Sequence, residues 1–378
     1  MMKLDKHKWK KVKLGEISQI IMGQSPPSNT YNTTGDGLPF FQGKTEFTDK
    51  YPVVVKWCSK PNKIAEPNDI LITIRAPVGS LNIANQKCCI GRGLAAIRSN
   101  GSSDFILVFL KSIEKELESK GTGTIFGGIS GKILNDIEIP LPSKTEQTQI
   151  AELFQSIETA IEQAEQQEKN LLKLKNQLLR ELTGEKMQLG NFLSAKDFEK
   201  VQFEKIVFNI SERVEPKETN LTTYVGLEHL DADNLKIERT GTPDDVIGTK
   251  LKIYKGDIIF GKRRAYLRKV AVSHFDGIAS AHSMILRANE RQIEKSFLPH
   301  FLQSDVFMQR AVQISEGSLS PTIKWKTLAA QEFYLPIKEK QKQLSELLEQ
   351  IDKTKDVIKT QKQTLKNLKQ KLLNEILG

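Results

Sequence analysis

The sequence predicts an α+β protein in which two mixed α/β globular domains are separated by two long helices that form an antiparallel coiled coil, with a pseudo-twofold internal repeat. Three observations predict this class. One long helical segment occurs twice, its apolar residues recur at three- and four-residue spacing, and the stretches outside it are rich in short β-like runs.

The repeat is ungapped over the whole helical segment. "LPSKTEQTQIAELF" begins at Leu141 and "LPIKEKQKQLSELL" begins at Leu335, and the copies reach Gly184 and Gly378 at a constant offset of 194 positions. Long internal periods indicate duplicated structural units. The identical pairs include Pro142/Pro336, Lys144/Lys338, Gln147/Gln341, Gln149/Gln343, Glu152/Glu346, Leu153/Leu347, Ile157/Ile351, Leu174/Leu368, Lys175/Lys369 and Leu179/Leu373.

Both copies have the apolar seam of a coiled coil. A helix of about 40 residues extends roughly 60 Å, which is too long for packing within one small domain. We therefore expect the two helices to pair with each other in opposite directions. The predicted seams are Ile150, Phe154, Ile157, Ile161, Ala164, Leu171, Leu174 and Leu178 in the first copy, and Leu344, Leu348, Ile351, Ile358, Leu365, Leu368, Leu372 and Ile376 in the second.

The helix ends have sequence signals of different strength. Ser143 and Glu146 predict a capping box at the first helix, and Gly184 predicts its end, whereas Ile337 occupies the cap position of the second helix. An alternative remains, in which each helix separately recruits another protein, because polar residues interrupt the seams. These residues are Glu168, Lys355 and Lys362.

The segments outside the helices predict mixed α+β domains. Short apolar runs such as "YPVVVKW", "DILITIR", "DIIFGK" and "KVAVSHF" predict strands, and "DFILVFLKSIEKELESK" and "SFLPHFLQSDVFMQRAVQ" predict helices. The predicted boundaries are 1–142 for the first domain, 143–184 for the first helix, 185–334 for the second domain and 335–378 for the second helix.

Bulk composition favours a basic cytoplasmic protein. The net charge is +10 and the sequence pI is about 9.2, and both repeat halves carry an excess of Lys and Arg. This balance is consistent with a polyanionic partner. No apolar run reaches the roughly 20 residues that a membrane span needs, so we expect no membrane contact.

The searches for catalytic and cofactor motifs fail. "FGGISGKI" lacks the first glycine and the Ser/Thr of a phosphate-binding loop, and "GTGTIF" lacks the third glycine of the dinucleotide fingerprint. The three cysteines and five histidines have no metal-ligand spacing, so structural thiols and non-catalytic imidazoles are expected. We therefore predict no catalytic residue, no metal site and no cofactor bound by this chain.

One basic cluster has the residue types of a nucleic-acid contact. "GKRRAYLRK" places Lys262, Arg263, Arg264, Arg268 and Lys269 around Tyr266, directly after an apolar strand. Lysine and arginine neutralise phosphates, arginine can pair with guanine O6 and N7, and an aromatic ring can pack on a base. A solvated charged hairpin is the alternative.

Further candidates are spread over both domains. In the first domain they are Gln24 and Ser25 in "GQSPPSNTYN", Lys44 and Thr45 in "GKTEF", Arg75 in "ITIRAPVG" and Arg92 in "CCIGRG". In the second they are Lys324 and Lys326, just ahead of the second long helix. Each could equally belong to an ordinary polar loop.

These residues resemble the specificity subunit of type I restriction-modification systems over nearly the whole chain. The paired "LP…Q.Q…EL" helices, "NDILITIRAPVGSLNIA" and "GDIIFGKRRAYLRKVAVSHFDGIASAHSMILR" carry the resemblance. It implies two target recognition domains that read the halves of a bipartite asymmetric site in double-stranded DNA, with the helices as spacers.

The resemblance also implies partner chains. Two methyltransferase subunits that use S-adenosylmethionine would dock on the helices and domains, and two motor-nuclease subunits that use ATP and Mg²⁺ would join for cleavage. A subunit of a fused or type II-like methyltransferase-nuclease is a close rival. A coiled-coil scaffold whose basic domains bind protein is the alternative from another class.

Overall fold

In the computed structural model, which describes residues 4–122, 128–183 and 193–378, the chain divides into two units. Unit 1 comprises Met1–Glu165 together with Thr360–Gly378, and unit 2 comprises Gln166–Lys359. Each unit thus contains part of both long helices. The mixed α/β content predicted for the globular parts is confirmed.

Unit 1 contains short strands and helices ahead of the first long helix. Its strands form the pair β1–β11, the sheet β2-β10-β7-β8 and the sheet β3-β5-β4-β9-β6. The helices are α1 (Leu14–Ile17), α2 (Ser103–Ser112), α3 (Glu114–Thr122) and α4 (Gly131–Asn135), together with the first part of the long helix α5 (Lys144–Thr183). The strands are β1 (Lys10–Lys13), β2 (Ser18–Met22), β3 (Tyr31–Asn32), β4 (Leu38–Phe41), β5 (Trp57–Cys58), β6 (Ile64–Ala65), β7 (Ile70–Thr73), β8 (Leu81–Ile83), β9 (Cys88–Ile90), β10 (Leu94–Ser99) and β11 (Glu138–Leu141).

Unit 2 repeats this plan. Its strands form the pair β12–β21, the sheet β13-β20-β17-β18 and the sheet β14-β16-β19-β15. The helices are α6 (Phe203–Ile206), α7 (Phe297–Gln303), α8 (Asp305–Gln313) and α9 (Trp325–Ala329), together with the first part of the long helix α10 (Lys338–Leu377), whose end belongs to unit 1. The strands are β12 (Phe198–Gln202), β13 (Val207–Ile210), β14 (Arg213–Val214), β15 (Tyr224–Val225), β16 (Lys250–Ile253), β17 (Ile258–Gly261), β18 (Val270–Val272), β19 (Gly277–Ala279), β20 (Ser283–Ala288) and β21 (Glu332–Pro336).

The same ion pair anchors the central strand of a four-stranded sheet in each unit. Arg98 on β10 binds Asp69 at 2.8 Å, just before β7, and Arg287 on β20 binds Asp257 at 2.7 Å, just before β17. Both aspartates are at most 3% exposed. Since a buried carboxylate needs a charged partner, this pairing explains why "NDIL" and "GDII" recur.

Both long helices begin with the same hydrogen bond. The side-chain amide of Gln147 donates to the Pro142 carbonyl at 2.9 Å, and that of Gln341 donates to the Pro336 carbonyl at 2.8 Å. The bond satisfies a buried amide at the first turn, which accounts for the repeated Leu-Pro and glutamine. The Ser143–Glu146 capping box is also present, while Gly184 lies outside the described residues.

Each unit's core joins the start of one long helix to the end of the other. In unit 1, Ile150 and Phe154 of α5 share a core with Leu373 and Ile376 of α10. In unit 2, Leu344 and Leu348 of α10 share a core with Leu179 of α5. Part of each apolar seam is therefore buried in the core of each unit.

The seam prediction was wrong at one repeated position. Leu174 and Leu368 are 46% and 42% exposed, whereas the following lysine in the first copy, Lys175, is 3% exposed. Lys175 binds Asp352 at 2.6 Å, and Lys369 binds Glu158 at 2.8 Å. A straight helix drifts by about 20° per heptad relative to the seam, which turns Leu174 and Leu368 outwards. The ion pair with Asp352 compensates the buried charge of Lys175.

The strand predicted over "YPVVVKW" was also wrong in its first part. Only Trp57–Cys58 is a strand, and Val53 and Val55 are 51% and 52% exposed. Pro52 has no amide hydrogen for a sheet ladder, and the Val53 amide donates instead to the Glu46 carbonyl at 2.7 Å. No helix in the described residues is both long and apolar enough to cross a membrane.

Candidate nucleic-acid interface

The basic cluster of unit 2 is the loop between the antiparallel strands β17 and β18. Arg264 and Arg268 flank its single 3₁₀ turn, Ala265–Leu267, and both adopt left-handed backbone conformations, with φ of 56° and 54°. Each such residue costs about 1–3 kcal/mol and persists only where its surroundings hold it. The loop is therefore a preformed structure.

Arg268 holds this loop from within the domain. Its guanidinium binds Asp233 at 2.7 Å, Asp305 at 3.1 Å and the Gln303 carbonyl at 2.6 Å. Lys269 donates to the Leu227 carbonyl at 2.5 Å. The structure thus divides the predicted cluster, because these two cations are committed to internal partners.

Arg263 and Arg264 lie on the outer part of the loop, against a second loop. Both guanidiniums contact the Ser320 hydroxyl at 3.1 Å, and the Arg264 amide donates to the Pro321 carbonyl at 2.7 Å. Ser320 is a neutral partner, so both arginines keep their charge available to an anion. Exposed apolar side chains stand beside them, namely Tyr266 and Leu267, which are 53% and 40% exposed.

Two groups next to Arg263, Lys262 and His282, have a lowered pKa. Burial, assisted by Arg213, lowers the pKa of Lys262. Partial burial and then Arg263 lower the pKa of His282, whose Nε2 lies 3.1 Å from the Arg263 guanidinium. A neutral imidazole can accept a hydrogen bond from arginine at that nitrogen. His282 therefore orients Arg263.

The other two cations predicted as DNA contacts in unit 2, Lys324 and Lys326, lie close to each other in sequence but differ in their contacts. Lys324 binds Glu316 at 2.6 Å, in the same loop as Ser320. Lys326 is exposed on the first turn of α9. The backbone bridge between Arg263 and Thr322 brings Lys324 near the loop of residues 262–269, which is called the arginine loop below.

The first-domain candidates meet at one end of the unit 1 sheets. The Arg92 amide donates to the Ser25 hydroxyl at 3.2 Å, and the Gln24 amide donates to the Ile90 carbonyl at 3.1 Å. A Cβ on Gly93 would lie 2.1 Å from the Gln42 carbonyl oxygen, so the segment that leads to Lys44 and Thr45 packs against the Arg92 loop. The structure therefore gathers residues that are far apart in sequence.

Arg75 occupies the same backbone position in unit 1 as Arg263 in unit 2. Each forms an isolated antiparallel bridge, Arg75 with Gly128 and Arg263 with Thr322. The amides just before them make matching bonds, from Ile74 to Gly93 at 2.9 Å and from Lys262 to His282 at 3.1 Å. Both units thus present an arginine at one equivalent place.

The described residues contain no arrangement of His, Cys, Asp and Glu that could hold a metal ion. Cys58, Cys88 and Cys89 are buried and unpaired, and burial raises the pKa of Cys88 to about 12. Sequence reasoning missed Ser320 and His282, which only the folded loops bring to the arginines. It also passed over Leu267, which lies inside the basic cluster and was the signal available.

Comparisons with known proteins agree on one family. The model for the type I restriction modification DNA specificity domain matches residues 6–174 and again residues 209–367. The putative type I restriction enzyme MjaX specificity subunit of Methanocaldococcus jannaschii is 46% identical over 180 residues, which are 45% of this chain and 42% of that protein. The chain thus spans less than half the length of this relative.

Two matches cover nearly the whole chain. The type I restriction enzyme MjaVIII specificity subunit of Methanocaldococcus jannaschii is 24% identical over 98% of this chain and 92% of its own length. The crystal structure of the type I restriction-modification S subunit from M. genitalium has a TM-score of 0.62 at 17% identity, covering 100% of this chain and 98% of that one. This likeness shows a shared fold. Because the family model matches most of the sequence in two copies, the chain belongs to the type I restriction-modification DNA specificity family.

Proposed function

We propose that this chain is the non-catalytic specificity subunit of a type I restriction-modification complex and reads one bipartite, asymmetric sequence in double-stranded DNA. The observation that carries the proposal is the duplication of the candidate DNA-contacting structure. Two units that share an equivalent four-stranded sheet each present an arginine, Arg75 or Arg263, at the same backbone position, in surroundings that differ. Each recognition domain, assigned to residues 1–142 and 185–334, reads one half of the target.

The arginine loop supplies both parts of DNA recognition. Arg263 and Arg264 are charged at any physiological pH and have planar donors that match phosphate or guanine. Tyr266 is exposed beside them and can pack on a sugar or base. Phosphate contacts fix the domain on the duplex, and base contacts select the sequence.

The long helices, in residues 143–184 and 335–378, are proposed to form an antiparallel coiled coil that sets the interval between the half-sites. Contacts within each unit support the opposed directions. In unit 1, Glu158 of α5 binds Lys369 of α10 at 2.8 Å, and Glu165 binds Lys366 at 3.2 Å. As the residue number rises on one helix, it falls on the other.

The helices are also the proposed docking surfaces for two methyltransferase subunits. Packing explains the buried identical pairs of the repeat, but it does not explain exposed pairs such as Gln149/Gln343 and Glu152/Glu346. Identical exposed groups at equivalent places suit two copies of one partner. S-adenosylmethionine, ATP and Mg²⁺ are assigned to the methyltransferase and the two motor-nuclease subunits, and none to this chain.

The proposal is tested with the chain and the methyltransferase encoded by the same genome. The complex is incubated with S-adenosylmethionine and a pool of randomised duplex DNA, and methylated adenines are located by sequencing. We expect one bipartite motif with a fixed gap. Methylation without sequence preference, or none that depends on this chain, would refute the proposal and favour a protein-binding scaffold.

A domain exchange sharpens the same test. Replacing residues 1–142 with a recognition domain of different sequence should alter one half of the motif and keep the other half and the gap. Changes in both halves would contradict the assignment of one half-site to each domain.

A further inference from the structure

A glycine and a single 3₁₀ turn follow the parallel strand in each unit. In unit 1, β4 pairs parallel with β9 and leads to Gly43 and the turn Lys44–Glu46. In unit 2, β15 pairs parallel with β19 and leads to Gly226 and the turn Leu227–His229. The two turns therefore occupy the same place in the repeated topology.

Both turns are closed by the same pair of hydrogen bonds. The Gly43 amide donates to the Glu46 carboxylate at 3.0 Å, and the Gly226 amide donates to Nδ1 of His229 at 3.0 Å. At the far side, amide-to-carbonyl bonds of 3.0 Å and 3.3 Å end the turns. Lys44 thus corresponds to Leu227, and Thr45 corresponds to Glu228.

Each turn packs beside the proposed DNA-reading loop of its own unit. In unit 1, the Gly91 amide, next to Arg92, donates to the Phe41 carbonyl at 2.8 Å. In unit 2, the Ser280 amide makes the matching bond to the Val225 carbonyl at 2.9 Å. Lys269 of the arginine loop also donates to the Leu227 carbonyl at 2.5 Å. A duplex that contacts the loops would also meet the turns.

The exposed side chains on the two turns differ in hydrogen-bonding character. Lys44 only donates and Thr45 can donate or accept, whereas Glu228 is an exposed carboxylate that only accepts. A Cβ on Gly226 would lie 2.0 Å from a Glu228 carboxylate oxygen, so the side chain folds over the glycine at the turn. Glu228 has no ion-pair partner within the part of the chain that the structure describes.

A carboxylate repels phosphates but accepts hydrogen bonds from the exocyclic amines of cytosine and adenine. We propose that these turns are specificity-determining elements: Glu228 reads a base that presents an amino group in one half-site, and Lys44 and Thr45 read a base that presents acceptors in the other. The inference rests on the proposed function and adds the residues and the base chemistry at one position of each domain.

The test uses the complete methyltransferase complex with Glu228→Gln, which keeps the shape and removes the charge. A matched control is Glu204→Gln, another exposed glutamate of unit 2. Glu204 is on α6, which leads into β13 where Val207 pairs with Ala288, whereas the arginine loop begins where Gly261 pairs with Ser283 at the other end of β20. The readouts are the methylated motif in randomised DNA and the affinity for DNA that lacks the motif.

We expect E228Q to lower the preference at one or two base pairs of a single half-site by about tenfold, because glutamine both accepts and donates and no longer excludes bases that present acceptors, and one good side-chain–base pair discriminates by about that factor or more. Affinity for DNA without the motif should stay equal or rise, because a negative charge is removed. Lys44→Gln should change the other half-site, and E204Q should change neither.

An E228Q motif identical to the wild-type motif would overturn the inference and leave the proposed function intact. A uniform loss of affinity without a change of motif would also overturn it, because a positioning role gives that result. A wild-type complex that reads no bipartite motif would instead refute the proposed function.

Discussion

The repeated lysine between the long helices allows one prediction in depth. Lys175 and Lys369 occupy equivalent positions, but Lys175 is 4% exposed at its side chain and Lys369 is 25% exposed. Their acid partners also differ. Among the described residues, Asp352 keeps one ion pair, with Lys355 at 3.6 Å, if Lys175 is lost, whereas Glu158 keeps Lys111 at 2.6 Å if Lys369 is lost.

Lys175→Met is expected to destabilise unit 2 by about 3 kcal/mol, the lower end for a broken buried ion pair, because Asp352 is 22% exposed and retains one distant lysine. For a unit of this size, that corresponds to a fall in melting temperature of roughly 6–12 °C. Lys369→Met is expected to cost about 1 kcal/mol, as for a largely solvated pair that leaves a second partner.

Differential scanning calorimetry of the two variants and the wild-type chain measures the difference. The control is Lys175→Met combined with Asp352→Leu, which removes both charges and should recover most of the lost stability. Equal losses in the two single variants would refute the reasoning, and so would a double variant as unstable as K175M.

Three further outcomes are expected. His300 is buried, and its pKa is lowered to about 4 by burial and then by Lys175, so between pH 6.5 and pH 4 the unfolded chain binds a proton that the folded chain does not bind. The free energy of unfolding should therefore fall by about 3 kcal/mol over that range, and urea titrations should show a smaller fall for His300→Gln. Replacing Arg263 and Arg264 with alanine should weaken DNA binding, with a smaller salt slope if they contact phosphate and a relaxed motif if they contact bases, and unchanged binding would contradict the proposed loop. Inserting one heptad between Gln163 and Glu168 should lengthen the gap in the methylated motif or abolish methylation, and an unchanged gap would contradict the proposed spacer.

The features that sequence predicted well are those with a local or periodic cause. The capping box at Ser143 needs only neighbouring residues, and helical spacing suffices for the buried seam residues such as Phe154 and Leu348, though not for Leu174 and Leu368. The echo of "NDIL" in "GDII" marked a real equivalence, because Asp69 and Asp257 perform the same pairing in both units.

The features that sequence predicted poorly depend on partners distant in the chain. Lys175 is buried because Asp352 lies beside it, which no local pattern indicates. Glu228 could not be recognised as the counterpart of Thr45, because "GKTE" and "GLEH" agree only at the aligned glycine and their equivalence appears only through the strands that precede them. Two domains that recognise different half-sites are expected to differ most in turns such as these.

The division of the chain into one interrupted and one continuous unit has a consequence for its synthesis. Unit 2 is a single stretch, but unit 1 needs Thr360–Gly378, which carry Leu373 and Ile376 into its core. During synthesis, the part of unit 1 that precedes unit 2 must therefore wait until Thr360–Gly378 have been made before its core is complete, which departs from the usual N-terminal-first order of domain folding. A chain that terminates before Thr360 would leave the core of unit 1 open. Cellular proteases could then degrade this chain before its incomplete recognition domain bound DNA.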